Sequence, residues 1–181
     1  MAKIPESYKE QVKKIYGESE IAFTEKELES IDYADFGLEN LDEEGLNLIL
    51  YVNNERYCAK EMVLLPDQAC PEHQHPDIDG KLGKQETFRC RWGKVYLYVD
   101  DGTPLNSDEI SVSVPEKNKK FYTASKEYIL LPGEQFTIPP RTWHWFKAGE
   151  EGAVVSEFSS PSFDEYDVFT NPNVKREIRD R

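Results

Sequence analysis

Residues 70–99 read CPEHQHPDIDGKLGKQETFRCRWGKVYLYV. The stretch opens on an H-x-H pair, His73 and His75, crosses a loop containing Gly80 and Gly83, and resumes at Glu86. Successive side chains of a strand point to opposite faces, so two histidines two residues apart share a face and both imidazoles can reach one ion. Glu86 starts the next strand after the loop. The stretch therefore reads as β structure with ligand-type side chains gathered at one loop edge.

The flanking sequence continues the pattern. Short β-branched or aromatic runs recur at 46–52, 57–65, 86–90, 95–99, 128–131, 136–138, 144–147 and 153–158, punctuated by Asn53–Asn54, Asp100–Asp101–Gly102, Pro132–Gly133 and Gly149–Gly152. Many short strands at near-regular spacing predict a sandwich or barrel. Only the first 45 residues carry helical signals. Pro5 suits a helix start, Gly17 a stop, and Ile4, Tyr8, Val12, Ile15 and Tyr16 keep helical spacing. Thr24 and Glu27 form a capping-box pattern ahead of Leu28 and Ile31. Residues 101–125 are polar and weakly patterned and read as a hairpin excursion, and the charged tail NPNVKREIRDR is expected on the surface. With no repeat or linker, residues 1–181 are expected to form one domain, with 1–45 as a helical segment packed on it.

The chain has three histidines, and the third, His144, follows Pro139 and Pro140 on a later strand. Three imidazoles and the Glu86 carboxylate suit a borderline divalent ion such as Mn, Fe, Ni, Co or Zn. Four protein ligands leave two positions of an octahedral ion open for the paired oxygens of a chelating substrate.

His73-x-His75, then Glu86, then Gly93, and downstream Gly133, Pro139 and His144, resemble the two motifs of the cupin superfamily. Three departures stand out. Ten residues separate His75 from Glu86, which implies a longer loop over the mouth of the site. Arg141 replaces the usual glycine of the second motif, and Ala148 stands where Asn is frequent. A closer resemblance covers nearly the whole chain. CPEHQHPDIDGKLGKQETFRCRWGKVYLYV, FTIPPRTWHWFKAGEEGAVVSEFSS and DVFTNP are similar to the bacterial D-lyxose isomerases of the cupin superfamily, including the long insertion, the run from Gly83 to Phe88 and the run from Pro139 to Trp145. The resemblance implies an all-β double-stranded β-helix (a jelly-roll barrel) with short N-terminal helices, a divalent cation that is usually Mn, and a homodimer. It implies interconversion of D-lyxose and D-xylulose, with D-mannose and D-fructose as a slower pair.

An aldose–ketose isomerase moves a proton between C1 and C2. The carbon acid is weak, so the carbonyl must be polarised and a carboxylate must carry the proton. The resemblance points to Glu157 and Asp167 for that task. Glu157 shares a strand face with Val155 and Ser159, so it can point into a barrel; a solvated strand glutamate is the alternative. Asp167 can equally start a turn, and Asp164 and Glu165 lie close enough to take its place. Lys84 precedes Glu86 by two residues and is expected inside if Glu86 is, where its ammonium can meet a sugar oxygen; a surface loop lysine is the other reading. Trp143 and Trp145 alternate away from His144, and with Tyr96 and Tyr98 are expected to pack. A cupin-type oxygenase and a non-catalytic sugar-binding cupin remain open on the ligand set alone.

The formal net charge of −13 argues against a nucleic-acid or anionic-membrane surface, because both reward clustered Lys and Arg. No apolar run approaches the roughly 20 residues that span a bilayer. MAKIPESYKE has no apolar secretory region, and Cys58, Cys70 and Cys90 form no framework, so a cytoplasmic protein with reduced, chemically idle thiols is expected.

Overall fold

The computed structural model describes residues 4–102 and 110–176. Nine strands form one curled antiparallel sheet: β1 (Asp32–Ala34), β2 (Leu46–Asn53), β3 (Cys58–Leu64), β4 (Ala69–Gln74), β5 (Glu86–Val99), β6 (Lys126–Leu130), β7 (Gln135–Ile138), β8 (His144–Ser159) and β9 (Val168–Phe169). The order β1-β2-β3-β8-β4-β9 runs along one path, and β5 pairs with β6, β7 and β8. The sheet curls around an apolar interior of Leu48, Met62, Leu64, Phe88, Leu97, Phe146 and Val155, among others.

Two long strands make the curl possible. β5 and β8 pair along most of their lengths, from Glu86↔Ser159 to Val99↔His144, with register shifts beside Trp92 and Gly93. The sequence reads each as two strands broken by glycine. The structure instead runs each through its glycines as one bent strand, since a bulge bends a strand and increases its twist without ending it. Gly93 (φ 71°) and Gly152 (φ 95°) sit at this bend in the left-handed region, and a Cβ on Gly93 would lie 2.1 Å from the Gly152 carbonyl oxygen. No residue with a side chain fits that approach.

Outside the barrel lies α1 (Glu6–Glu18), which extends one residue beyond Gly17. Its buried stripe of Tyr8, Val12, Ile15 and Tyr16 packs on Ile49, Val63 and Val154, the outward residues of β2, β3 and β8. The Tyr16 hydroxyl donates to the Glu61 carbonyl at 2.8 Å, which satisfies the one polar atom of that ring. α2 (Glu25–Glu29) is a single capped turn: Thr24 N donates to Glu27 Oε2 at 2.8 Å, and Glu27 N donates back to Thr24 Oγ1 at 3.2 Å. The N-terminal segment is not wholly helical, because it also contributes β1 to the sheet.

One further expectation fails and another holds in part. The described part of 101–125 holds no strand; it contains a 3-10 helix at Glu116–Phe121. That helix is pinned by the buried Glu44 carboxylate, which accepts from Asn118 Nδ2 at 2.5 Å and Tyr122 OH at 2.7 Å, so side-chain hydrogen bonds replace the ladder of a hairpin. The tail is largely at the surface as expected, with Pro172, Asn173 and Lys175 exposed, but Asn171 is buried and Arg176 Nη2 donates to Asp32 Oδ2 at 2.8 Å. Residues 177–181 of that tail lie outside the described residues.

Candidate metal centre and active site

β4 carries the H-x-H pair because its two faces are treated differently. Glu72, on the outer face, accepts from Thr123 N at 2.6 Å, Ala124 N at 2.7 Å and Thr123 Oγ1 at 2.7 Å. That clamp turns His73 and His75 inward. β8 brings His144 directly opposite His73 in the ladder, and β5 brings Glu86 opposite Ser159. The four side chains are all buried, and one ligand atom from each lies within 4.8 Å of the others.

The proton positions suit a cation. A carbonyl only accepts, so His73 Nδ1–H donates to Pro71 O at 2.8 Å and His144 Nδ1–H to Thr142 O at 2.9 Å. His75 Nδ1–H donates to Asp167 Oδ1 at 2.5 Å. With Nδ1 as the donor, the Nε2 lone pairs of His73 and His144 are left for a metal. His144 Nε2 is buried with no hydrogen-bond partner, although Glu86 Oε1 is only 2.9 Å away. Two lone pairs at that distance repel unless a proton or a metal cation lies between them. Ligands across an ion with bonds of about 2.1 Å are about 4.2 Å apart, which agrees with the spread observed. The group can hold a divalent metal.

Burial, and then the neighbouring His144 and His75, push the His73 pKa well down, so His73 is neutral and ready to ligate. Burial and the Lys84 ammonium push His75 down, but Glu86 and Asp167 together outweigh them and raise it to about 9. Burial resists the charge on Glu86, yet Lys84 and His75 hold its carboxyl well below the usual range.

Lys84, Glu157 and Asp167 converge on the same cavity. Lys84 Nζ lies 2.7 Å from Glu86 Oε2 and 3.2 Å from Glu157 Oε1. Glu157 is buried, with Ser159 Oγ donating to its Oε1 at 2.9 Å. Asp167 touches His75; Asp164 lies farther back, against Lys60 at 3.1 Å. The cavity holds about 440 Å³ of atom-free space including its mouth. Its lining combines charged residues, among them Lys60, Lys84, Glu157 and Asp164, with apolar ones such as Leu46, Leu48 and Met62. Phe169 stacks on His73 with centroids 5.5 Å apart, and Phe36 leans on Phe169 from a left-handed backbone, φ 52°, that an aromatic residue rarely adopts.

The ten-residue insertion forms part of the mouth. Ile78 and Lys81 bridge around Asp79 (φ 49°) and Gly80 (φ 75°), and Asp77 Oδ1 accepts from Gly83 N at 3.0 Å. The loop is thus tied to itself as a small hairpin turn. It faces residues 160–167 across a wider vestibule that leads to His75, Lys84 and Asp167. Trp145 turns away from this space and stacks on Tyr98, with centroids 4.0 Å apart. Cys58, Cys70 and Cys90 are free and buried, and Cys70 reaches the cavity wall.

The sequence profile of the D-lyxose isomerase family matches residues 8–179. The chain belongs to the D-lyxose isomerase family. It is 60% identical over 156 residues to a D-lyxose ketol-isomerase of Thermofilum sp., spanning 86% of this chain and 85% of that one. It is 55% identical over 173 residues to a D-lyxose/D-mannose isomerase of Thermosediminibacter oceani, spanning 94% of each. Among solved structures, the L-ribose isomerase of Acinetobacter sp. DL28 superposes with a TM-score of 0.73 over 92% of each chain at 16% identity, which shows a shared fold. Family membership and this likeness agree with the cupin architecture expected from the motifs.

Sequence reasoning missed Lys60 and Arg176. Lys60 lies on β3 in phase with Cys58, Met62 and Leu64, all buried. A lysine in step with three inward apolar residues was the available signal. Arg176 gives no such signal, since it sits in a charged tail without periodicity. No helix among the described residues is long and apolar enough to cross a membrane.

Proposed function

We propose that this chain interconverts D-lyxose and D-xylulose, with D-mannose and D-fructose as a second pair. The reading is carried by one observation: His73, His75 and Glu86 of the four-residue cluster line one cavity with Glu157, and His144 closes the cluster beside them. D-Lyxose and D-mannose have the same configuration at C2 and C3, the atoms nearest the chemistry, and a relative is named for both sugars.

A divalent cation bound by the four ligands supplies Lewis acidity that makes the C2 proton removable. The chain's own groups do the rest. Glu157 Oε2 takes the proton from C2 of the open-chain aldose, and the C–H electron pair becomes the C1=C2 bond of an enediol as O1 takes a proton from water, matched by the proton that O2 later releases to water. Glu157 then returns its proton to C1 while O2 gives up its own, leaving the C2 carbonyl. The net change moves one hydrogen from C2 to C1 and one from O2 to O1. The Lys84 ammonium faces the negative charge that develops on oxygen. Asp167 fixes the His75 ring and adds an acceptor to the polar lining.

Imidazole and carboxylate donors together suit Mn, which is our choice of metal. The resemblance supports one domain acting as a homodimer, and the buried free thiols suit a reducing cytosol. Incubation of the Mn-loaded protein with D-lyxose should yield D-xylulose. Turnover of D-xylose or D-glucose, of opposite C2 configuration, with none of D-lyxose would defeat the assignment.

A further inference from the structure

Behind the proposed base, buried charges alternate in sign along an unbroken row. Asp164 accepts from Lys60 Nζ at 3.1 and 3.3 Å; Lys60 Nζ is 3.8 Å from Glu157 Oε1; Lys84 Nζ is 3.2 Å from that same oxygen and 2.7 Å from Glu86. Lys60 and Glu157 are direct partners across the β3–β8 ladder. On the other side of β8, Lys84 precedes β5. The two ammonium groups therefore flank the carboxylate from neighbouring elements.

All the hydrogen bonds and ion pairs of Glu157 among the described residues fall on Oε1: Ser159 at 2.9 Å, Lys84 at 3.2 Å and Lys60 at 3.8 Å. Oε2 has none. We propose that Lys60 is a positioning residue for the proton shuttle, anchoring Glu157 Oε1 so that Oε2 is left facing the sugar. A carboxylate this deeply buried keeps its charge only if cations compensate it. Lys84 is shared with Glu86, to which it is closer, so it compensates Glu157 only in part. Lys60, itself shared with Asp164, supplies the second cation, so the two ammonium groups together compensate Glu157. Lys60 cannot swing away, because Asp164 and Ser162 Oγ, at 3.1 Å, hold it in place. The anchoring is set before substrate enters, which removes reorganisation from the proton transfer.

The inference rests on Glu157 being the shuttle. Its test compares Lys60→Met, Lys60→Arg and Glu157→Gln for metal content, steady-state kinetics and exchange of the C2 proton of D-lyxose into deuterated water. Lys60→Met should keep one Mn per chain and a KM within about 3-fold, while kcat and exchange fall together by about 10- to 100-fold. Lys60→Arg, which keeps the charge, should recover most of that loss. A Lys60→Met enzyme with kcat within about 2-fold of the parent, or with its loss confined to KM, overturns the proposal. So does failure of Lys60→Arg to recover any of the loss. If Lys60→Met does not fold, Lys60→Met/Asp164→Asn removes the pair as a unit and avoids a stranded charge. Parental kcat in that double variant overturns the proposal as well, and a 10- to 100-fold loss at parental Mn content supports it. If Glu157→Gln itself exchanges at the parental rate, the functional reading fails first. If Glu157→Gln is silent and Lys60→Met is normal, only the role of Lys60 fails.

Discussion

The Nδ1 atom of His75 lies 2.5 Å from Oδ1 of Asp167, so a residue in the 160–169 segment fixes the orientation of a ring on the far side of the ten-residue loop. Such a carboxylate orients a ligand histidine and raises its basicity, and losing it typically costs about 10- to 100-fold in metal affinity or activity. Asp167→Ala should therefore weaken cation binding by a factor in that range with the fold intact. Titration of the apo protein with Mn decides the matter, and parental affinity would separate Asp167 from the metal centre.

Glu86 and Glu157 are both buried carboxylates beside Lys84, yet their replacement should have different consequences. Glu86→Gln removes the only anionic member of the ligand cluster, so cation content should collapse along with activity. Glu157→Gln leaves all four ligands in place. It should retain cation while kcat drops by about 10²- to 10⁴-fold, the usual loss when a general base is removed. Elemental analysis of the two purified variants reads the first difference and initial rates read the second. Equal metal loss in both would show that Glu157 is a ligand.

Arg141 occupies the glycine position of the second cupin motif at φ 61°, and its backbone N donates to the His75 carbonyl at 3.3 Å. The left-handed conformation costs a residue with a Cβ about 1–2 kcal/mol. A β-branched side chain fares worse there than an unbranched one. Glycine relieves the strain but gains freedom in the unfolded chain, an offset of about 0.4–1 kcal/mol. The Arg141–Asp77 pair at 3.8 Å is exposed on both sides and adds little. Arg141→Gly should lie within about 1 kcal/mol of the parent, whereas Arg141→Val should lose about 2 kcal/mol. Urea denaturation of the three proteins provides the comparison. A valine variant as stable as the parent would mean that the turn relaxes freely.

How far the sequence goes is set by periodicity. The ligand residues are legible because H-x-H, Glu86 and His144 fall at strand positions whose facing follows from a period of two. Glu157 is legible for the same reason, once Val155 is taken as inward. The bend of β5 and β8 is not, because Gly93 and Gly152 look like strand breaks until the close approach of their backbones is seen. β4 is legible only at its histidine end: ACPEHQ is otherwise polar and contains a proline, and Glu72 is a buried clamp there, not a solvent group. β3 is buried on both faces, so Lys60 is marked only by its phase with Cys58, Met62 and Leu64 and not by a hydropathy alternation. The contribution of the tail is long-range: Arg176 meets Asp32 across 144 residues, and no local pattern encodes that contact.

Asp164 ties the tail and β3 together through Arg176 and Lys60, and this tie should make stability fall in acid. Burial raises the Asp164 pKa, but Lys60, Lys84, the Ser162 hydroxyl and Arg176 outweigh it and hold the carboxyl well below its usual value. The folded pKa thus lies below the unfolded one, which is about 3.9. A group shifted in this direction contributes its stability above the unfolded pKa and loses it as pH falls toward the folded pKa. Asp164→Asn keeps the shape but cannot ionise, and breaking a buried pair costs about 3–5 kcal/mol. The gap between parent and variant should be constant from pH 7 to pH 5. It should then narrow by about 1 kcal/mol by pH 3, as the unfolded parent takes up a proton that the folded parent refuses. Carboxylates elsewhere titrate in both proteins and cancel in the difference. Urea melts at pH 7, 5, 4 and 3 measure the gap directly. A gap that stays flat down to pH 3 would show that the Asp164 charge contributes nothing to the fold, and that Lys60 is held by Ser162 and Glu157 alone.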